Sequence, residues 1–143
     1  MAYRIEAACG CNMGRRRTNN EDNFCFDNRI LPKENSGLKA AVAVDGELKR
    51  EQFFGVFDGM GGESYGEEAS FLAAATAKNI VAYREANGPF TARKQLLKVP
   101  KLGPKAFQQC AGFLRVPESK SVLDNTAVHP ESYGAAETLL ALT

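Results

Sequence analysis

The chain has 143 residues, of which 44% are hydrophobic and 24% charged, and a formal net charge of +1. This suits one ordinary domain or two small ones, and it excludes a disordered chain on composition. It also excludes a global electrostatic pull toward nucleic acid or membrane, and no apolar run approaches the length of a membrane span. With no hydrophobic leader at the N-terminus, a cytoplasmic location is the expectation. Cys9 and Cys11 form a C-x-C pair, but no second pair at zinc-site spacing follows and the single His129 is distant. The four cysteines are therefore read as reduced structural thiols.

Four runs in the first half read as strands: "YRIEAACG", "NFCFDNRIL", "KAAVAVDGEL" and "QFFGVFD". Gly46, following Asp45, suits a hairpin turn between the last two. Past the glycine cluster, Ala69, Leu72, Ala73, Thr76, Ile80 and Tyr83 fall at the spacings of one helical stripe, and the helix should stop near Asn87-Gly88. Beyond Pro89 the pattern is short and helical. "TARKQLLKV" is one piece, "PKAFQQCAGFLRV" another with Pro104 in its first turn, and "PESYGAAETLLAL" a third opened by Pro130. The shift from strand-rich to helical composition falls near residue 75.

Two stretches carry chemistry in the first half. In "FFGVFDGMGG" a lone carboxylate, Asp58, stands where an apolar strand breaks into glycines. In "GRRRTNNEDNF", Glu21 and Asp22 enter another strand, where adjacent side chains take opposite faces, so that one of the two can face Asp58. A hard cation such as Mn²⁺ or Mg²⁺ takes oxygen ligands and keeps several waters. Glu21, Asp58 and the carbonyl of Gly59 could supply them, and Arg17 could grip a phosphate with two parallel hydrogen bonds. The residues alone leave the ordinary alternatives open: a polar turn at N-E-D and a hairpin at D-G.

The second half concentrates positive charge. From Arg93 to Lys120 there are seven basic residues and one acid, Glu118, a local charge of about +6. Two short helices flank "VPKLGP", and the amides opening the second form an anion site bracketed by Lys101 and Lys105. Such contacts grip phosphate rather than read bases, so binding should be salt-sensitive and largely blind to sequence. The alternative is a helical hairpin whose lysines are merely solvated. His129, just before Pro130, reads as a cap or packing element rather than a catalytic group.

Two resemblances sharpen these readings. "GRRRTNNED" followed by "FFGVFDGMGG" closely resembles the opening motifs of the metal-dependent Ser/Thr protein phosphatases, the PPM family, over about residues 3 to 74. The resemblance implies that Arg17 binds substrate phosphate, that Glu21 ligates one metal and that Asp22 orients metal-bound water. It further implies that Asp58 bridges two metals and that the Gly59 carbonyl ligates one. A metal-activated water would then attack a phosphoserine or phosphothreonine of a phosphoprotein substrate. The chain departs from the family after Gly62, offering no G-D or S-D-G segment, while "LDNTAV" only imitates the closing D-N segment. Too few carboxylates remain for two dications, so little or no turnover is expected.

From about Ala77, "AKNIVAYREANGPFTARKQLLKVPKLGPKAFQQCAGFLRV", on through "LDNTAVHPESY", strongly resembles the helix-hairpin-helix region of the bacterial transcription accessory (Tex) family. This implies binding of a DNA or RNA backbone through Lys101, Leu102 and Gly103, with Lys105 beside them. Many such hairpins have glycine where Lys101 stands. The expected fold is α+β: a partial β-sandwich over residues 1–75, with open sheet edges, joined to a helix-hairpin-helix module over 76–143. The expected function is a phosphatase-like fragment with a partial Mn²⁺ or Mg²⁺ site fused to that module, or else a nucleic-acid binder whose first part is inert. No membrane partner is expected.

Overall fold

Among the described residues, four short strands and three α-helices follow one another, with 3₁₀ turns between the helices: β1 Arg4–Cys9, β2 Asn23–Phe26, β3 Val42–Glu47, β4 Phe54–Phe57, α1 Gly66–Asn87, α2 Pro104–Cys110 and α3 Tyr133–Leu140. This computed structural model describes residues 3–47, 53–60 and 65–142. The chain divides into two compact units, Met1–Val81 and Ala82–Thr143. The architecture is α+β, with small antiparallel sheets first and helices after them. Among the described residues no helix is long and apolar enough to cross a membrane.

In the first unit, β1 pairs with β3 and β2 with β4, both antiparallel. Inward residues of β1 and β3 (Ala7, Cys9, Val42 and Val44), with Cys11 and Leu38, pack on buried Phe24, Phe26 and Leu31. Phe26 meets Phe54 edge-on across β2–β4, with ring centroids 5.2 Å apart. Asn23, buried, ties the strand to the following loop: its Nδ2 donates to Leu31 O, and its Oδ1 accepts from the amides of Phe24 and Leu31. Val56, facing the same way as Phe24, is nonetheless 81% exposed. The sheet face overhangs what covers it.

Two expectations for this half need correction. The Asp45-Gly46 pair is not a hairpin turn, because both residues lie inside β3 opposite Glu6 and Ile5. Cross-strand pairing overrides the local turn signal here, and Arg4 fixes Asp45 with two hydrogen bonds of 3.0 and 2.9 Å. The tight turn comes instead at Asp27-Asn28, with φ of 47° and 61°, which cuts short the strand expected through Leu31. Both residue types tolerate that left-handed region. Residues 48–52, and Gly61 and Gly62 of the glycine run, lie outside the described residues.

The long helix α1 stops where the sequence indicates. Gly88 takes φ +83° and donates its N–H to Arg84 O at 2.8 Å, a left-handed C-terminal cap. Its buried face differs from the stripe read from spacing. Gly66, Ser70, Ala74, Ala75 and Val81 are buried, whereas Ala69, Leu72 and Ala73 are exposed. In an alanine-rich helix the apolar pattern fits several faces, and the face of smallest side chains is the one that permits close approach.

The second unit is organised by one residue. Arg93 opens a 3₁₀ turn, Arg93–Lys98, and is completely buried. Its Nη1 donates to Val128 O and to Tyr133 Oη, and its Nη2 to the carbonyls of Leu114, Asp124 and Thr126, all at 2.6–3.0 Å. Asp124, buried beside it, accepts from the Arg93 amide, Ser119 Oγ and Tyr133 Oη. Burial alone would raise the Asp124 pKa, but these hydrogen bonds outweigh it and hold the carboxyl below its usual range. Burial and the bond to Asp124 push Tyr133 up to about 12. A charge counted in the sequence as surface is thus a buried clamp.

Candidate nucleic-acid interface

The segment joining the 3₁₀ turn Arg93–Lys98 to α2 is a tight hairpin. Leu96, Val99 and Leu102, three residues apart, are each 3% exposed and anchor it from within. Val99 N–H donates to Leu96 O, and Leu102 N–H to Val99 O. Between those anchors Lys101 adopts φ +67°. The left-handed conformation usually left to glycine is therefore present with a lysine in it, at a strain of about 1–2 kcal/mol. Gly103 follows as an extended N-cap, and Pro104 opens α2 at the position where a missing N–H costs nothing.

The predicted residues take distinct places. Lys101, Gly103 and Lys105 are exposed. The Leu102 side chain is buried and its N–H is already used, so it serves as an anchor of the hairpin rather than as a contact. Lys94, Lys98, Arg115 and Lys120 are also exposed, against the exposed acid Glu118. Arg93 is the one cation of this stretch withdrawn from the surface.

A second 3₁₀ turn, Val122–Asn125, leads through an extended stretch to Pro130, which starts a one-turn 3₁₀ segment running into α3. The sequence reading missed the Val122–Asn125 turn; buried Leu123 and Asp124 were its only signal. His129 is the N-cap, its Nδ1 accepting from Glu131 N–H, while Nε2 donates to Gln108 O at 2.7 Å. It pins α2 to the start of this second element. With Glu131 in its first turn, that second start carries an acid where the first turn of α2 carries none.

The candidate metal corner in the first unit lies just beyond the Asn23–Phe57 pair that ends β2 and β4, where Glu21 and Asp22 come close to Gly59. The approach is close: a Cβ on Gly59 would lie 2.1 Å from Glu21 O. Gly59 N–H donates to Asp22 Oδ1 at 3.2 Å. Arg17 lies 3.3 Å from Glu21 Oε2 as an ion pair, yet that buried oxygen has no hydrogen bond of good geometry. Asp58 is exposed. Among the described residues no three His, Cys, Asp or Glu side chains gather as a metal-holding group. The four cysteines are free thiols, and burial raises the pKa of Cys25 and Cys110.

Comparison with known proteins bears on the helical part. Residues 67–115 match the helix-hairpin-helix motif, and residues 121–143 match a helix-hairpin-helix (HHH) domain. The first match takes in nearly all of α1. The chain is 58% identical over 65 residues to the transcriptional accessory protein Tex of Neisseria gonorrhoeae, covering 46% of this chain and 9% of that protein. It is 58% identical over 67 residues to protein YhgF of Escherichia coli, covering 47% and 9%. It is 64% identical over 45 residues to the human S1 RNA-binding domain-containing protein 1, covering 32% and 4%. The chain therefore spans less than a tenth of the length of these relatives. It carries a Tex-like helix-hairpin-helix region.

Proposed function

We propose that this chain binds nucleic-acid backbone through the hairpin between the Arg93–Lys98 turn and α2. The observation that carries the reading is Lys101 held at φ +67° between buried Val99 and Leu102, which presents Lys98, Lys101 and Lys105 around an approachable Gly103. Phosphate contacts of this kind are electrostatic and largely independent of base sequence. The similarity to a protein named for an accessory role in transcription supports the same class of partner. The test is fluorescence anisotropy of the full chain with a labelled oligonucleotide. Lys101→Glu with Lys105→Glu is expected to weaken binding at least 10-fold at low salt, and an unchanged affinity would remove the hairpin from the account.

A second reading concerns the first unit, as a phosphatase-like fragment acting on phosphoprotein through Mn²⁺ or Mg²⁺. It is favoured by the close approach of Gly59 to Glu21 O and to Asp22 Oδ1, and by a buried Glu21 oxygen held by the Arg17 ion pair without a hydrogen bond. Glu21, Asp58 and the Gly59 carbonyl would be the ligands of such a dication, held weakly and with retained waters, because no three carboxylates gather there among the described residues. Two dications do not fit, since the few carboxylates leave their mutual repulsion uncompensated. Such an ion would supply an activated water, Asp22 would orient it, and Arg17 would hold a phosphate once released from Glu21. Turnover is accordingly little or none. A robust manganese-dependent rate on a phosphopeptide, abolished by Asp58→Asn, would contradict this. On this view two modules, 1–75 and 76–143, meet inside α1.

A further inference from the structure

The most exposed aromatic ring of the second unit is not part of the hairpin. Phe113 is 84% exposed and sits in the turn that follows α2. Its backbone is not loose. Phe113 N–H donates to Cys110 O at 3.0 Å, Leu114 N–H donates to Ala111 O, and Ala111 beneath is completely buried. Arg115, itself exposed, donates from Nη1 to the carbonyls of Gly112 and Leu114 at 2.8 and 3.0 Å. Those two carbonyls flank Phe113 in the chain, so the guanidinium is tied to the backbone of the same turn.

We propose that Phe113, with Arg115 tied to the same turn, is a base-stacking platform that gives this chain a preference for single-stranded nucleic acid. This rests on the backbone-binding reading above and names its substrate class. A rigid turn loses little entropy when its ring is covered, and the surrounding charge selects what covers it. Lys94, Lys98, Lys101, Lys105, Arg115 and Lys120 are exposed in this unit against the exposed acids Glu85, Glu118, Glu131 and Glu137, a positive excess that favours a polyanion over an apolar protein surface. An unpaired base offers an apolar face carried on a phosphate chain, which suits an aromatic ring beside a guanidinium. The seven residues of α2 span about 10 Å, which is a step of only a few nucleotides between the hairpin and the ring. In a duplex the bases are stacked on one another and cannot cover the ring.

The test uses the full chain and labelled oligonucleotides of about 12 nucleotides, as normal single strand, abasic single strand and duplex. The parent chain should bind the normal strand more tightly than the abasic strand. Phe113→Ala should weaken the normal strand by about 5-fold or more, leave the abasic strand and duplex within about twofold, and Phe113→Trp should restore binding. Equal binding of normal and abasic strands by the parent, or no effect of Phe113→Ala on the normal strand, would overturn the proposal. So would a shift from dimer to monomer on Phe113→Ala with affinity unchanged, which would assign the ring to a contact between copies. If the Lys101→Glu, Lys105→Glu variant loses every oligonucleotide while Phe113→Ala loses none, the backbone reading survives and this inference fails. If the lysine variant loses none, the backbone reading itself fails.

Discussion

Replacing Arg93 by alanine should remove most of the stability of the second unit. The guanidinium supplies donors to four backbone carbonyls, those of Leu114, Asp124, Thr126 and Val128, and to the hydroxyl of Tyr133. Leu114 O keeps Arg115 Nη1 and Asp124 O keeps the Val116 N–H, so Thr126 O and Val128 O are the carbonyls stripped of a donor; at about 1–3 kcal/mol each they cost about 2–6 kcal/mol. A unit of about sixty residues has a total stability of only roughly 3–9 kcal/mol. Lysine offers three rotatable donors in place of the fork. Arg93→Lys should therefore keep part of the network and lose a smaller amount, about 1–3 kcal/mol. Urea denaturation of the full chain by circular dichroism, with limited proteolysis to locate the unfolded part, gives the ranking. An alanine variant within about 1 kcal/mol of the parent would refute the reasoning, since that is the scale of an ordinary surface substitution.

Three further outcomes follow from the geometry. Lys101→Gly should stabilise the second unit by about 0.5–1 kcal/mol, because relief of the left-handed lysine exceeds the entropy glycine adds to the unfolded chain; a melting temperature a few degrees higher checks it. Asp124, whose folded pKa is lowered, contributes stability that is present above the usual carboxylate range and is lost as pH falls through its folded value. Tyr133, pushed up to about 12, contributes stability that is complete below pH 10 and is lost as pH rises through about 12. Asp124→Asn should flatten the acid limb of a pH–stability curve and Tyr133→Phe the alkaline limb. Gly59→Ala should cost about 1–3 kcal/mol in the first unit, since the new Cβ meets the carbonyls of Glu21 and Gly66 at 2.1 and 2.7 Å; hydrogen exchange should show faster amides in β2 and β4 alone.

What the sequence disclosed was local, and what it hid was distant. Alternation and aromatic runs located all four strands, and Gly88 and Pro104 marked a helix end and a helix start, because each acts through its own backbone. The Asp45-Gly46 turn signal failed because its residues answer to Arg4 and Ile5, some forty positions away. Arg93 looked like one more surface cation. Its partners lie 21 to 40 residues along the chain and are mostly carbonyls, which leave no mark on side-chain pattern. Lys101 shows the opposite case: the residue type argued against a tight hairpin, yet the buried Val99 and Leu102 on either side hold it in place. Near Gly59, the approach to Glu21 and Asp22 follows from the pairing of β2 with β4, which the sequence named only by its ends.

The most direct test of nucleic-acid binding through the hairpin is the salt dependence of affinity for a duplex, measured on the parent chain and on the Lys101→Glu, Lys105→Glu variant. With Lys98, Lys101 and Lys105 each neutralising a phosphate, log K should fall against log salt with a slope of about −2.7, a loss of about 40-fold between 50 and 200 mM. The variant should show a slope near −1. Identical slopes for the two chains, or an affinity indifferent to salt, would contradict the account.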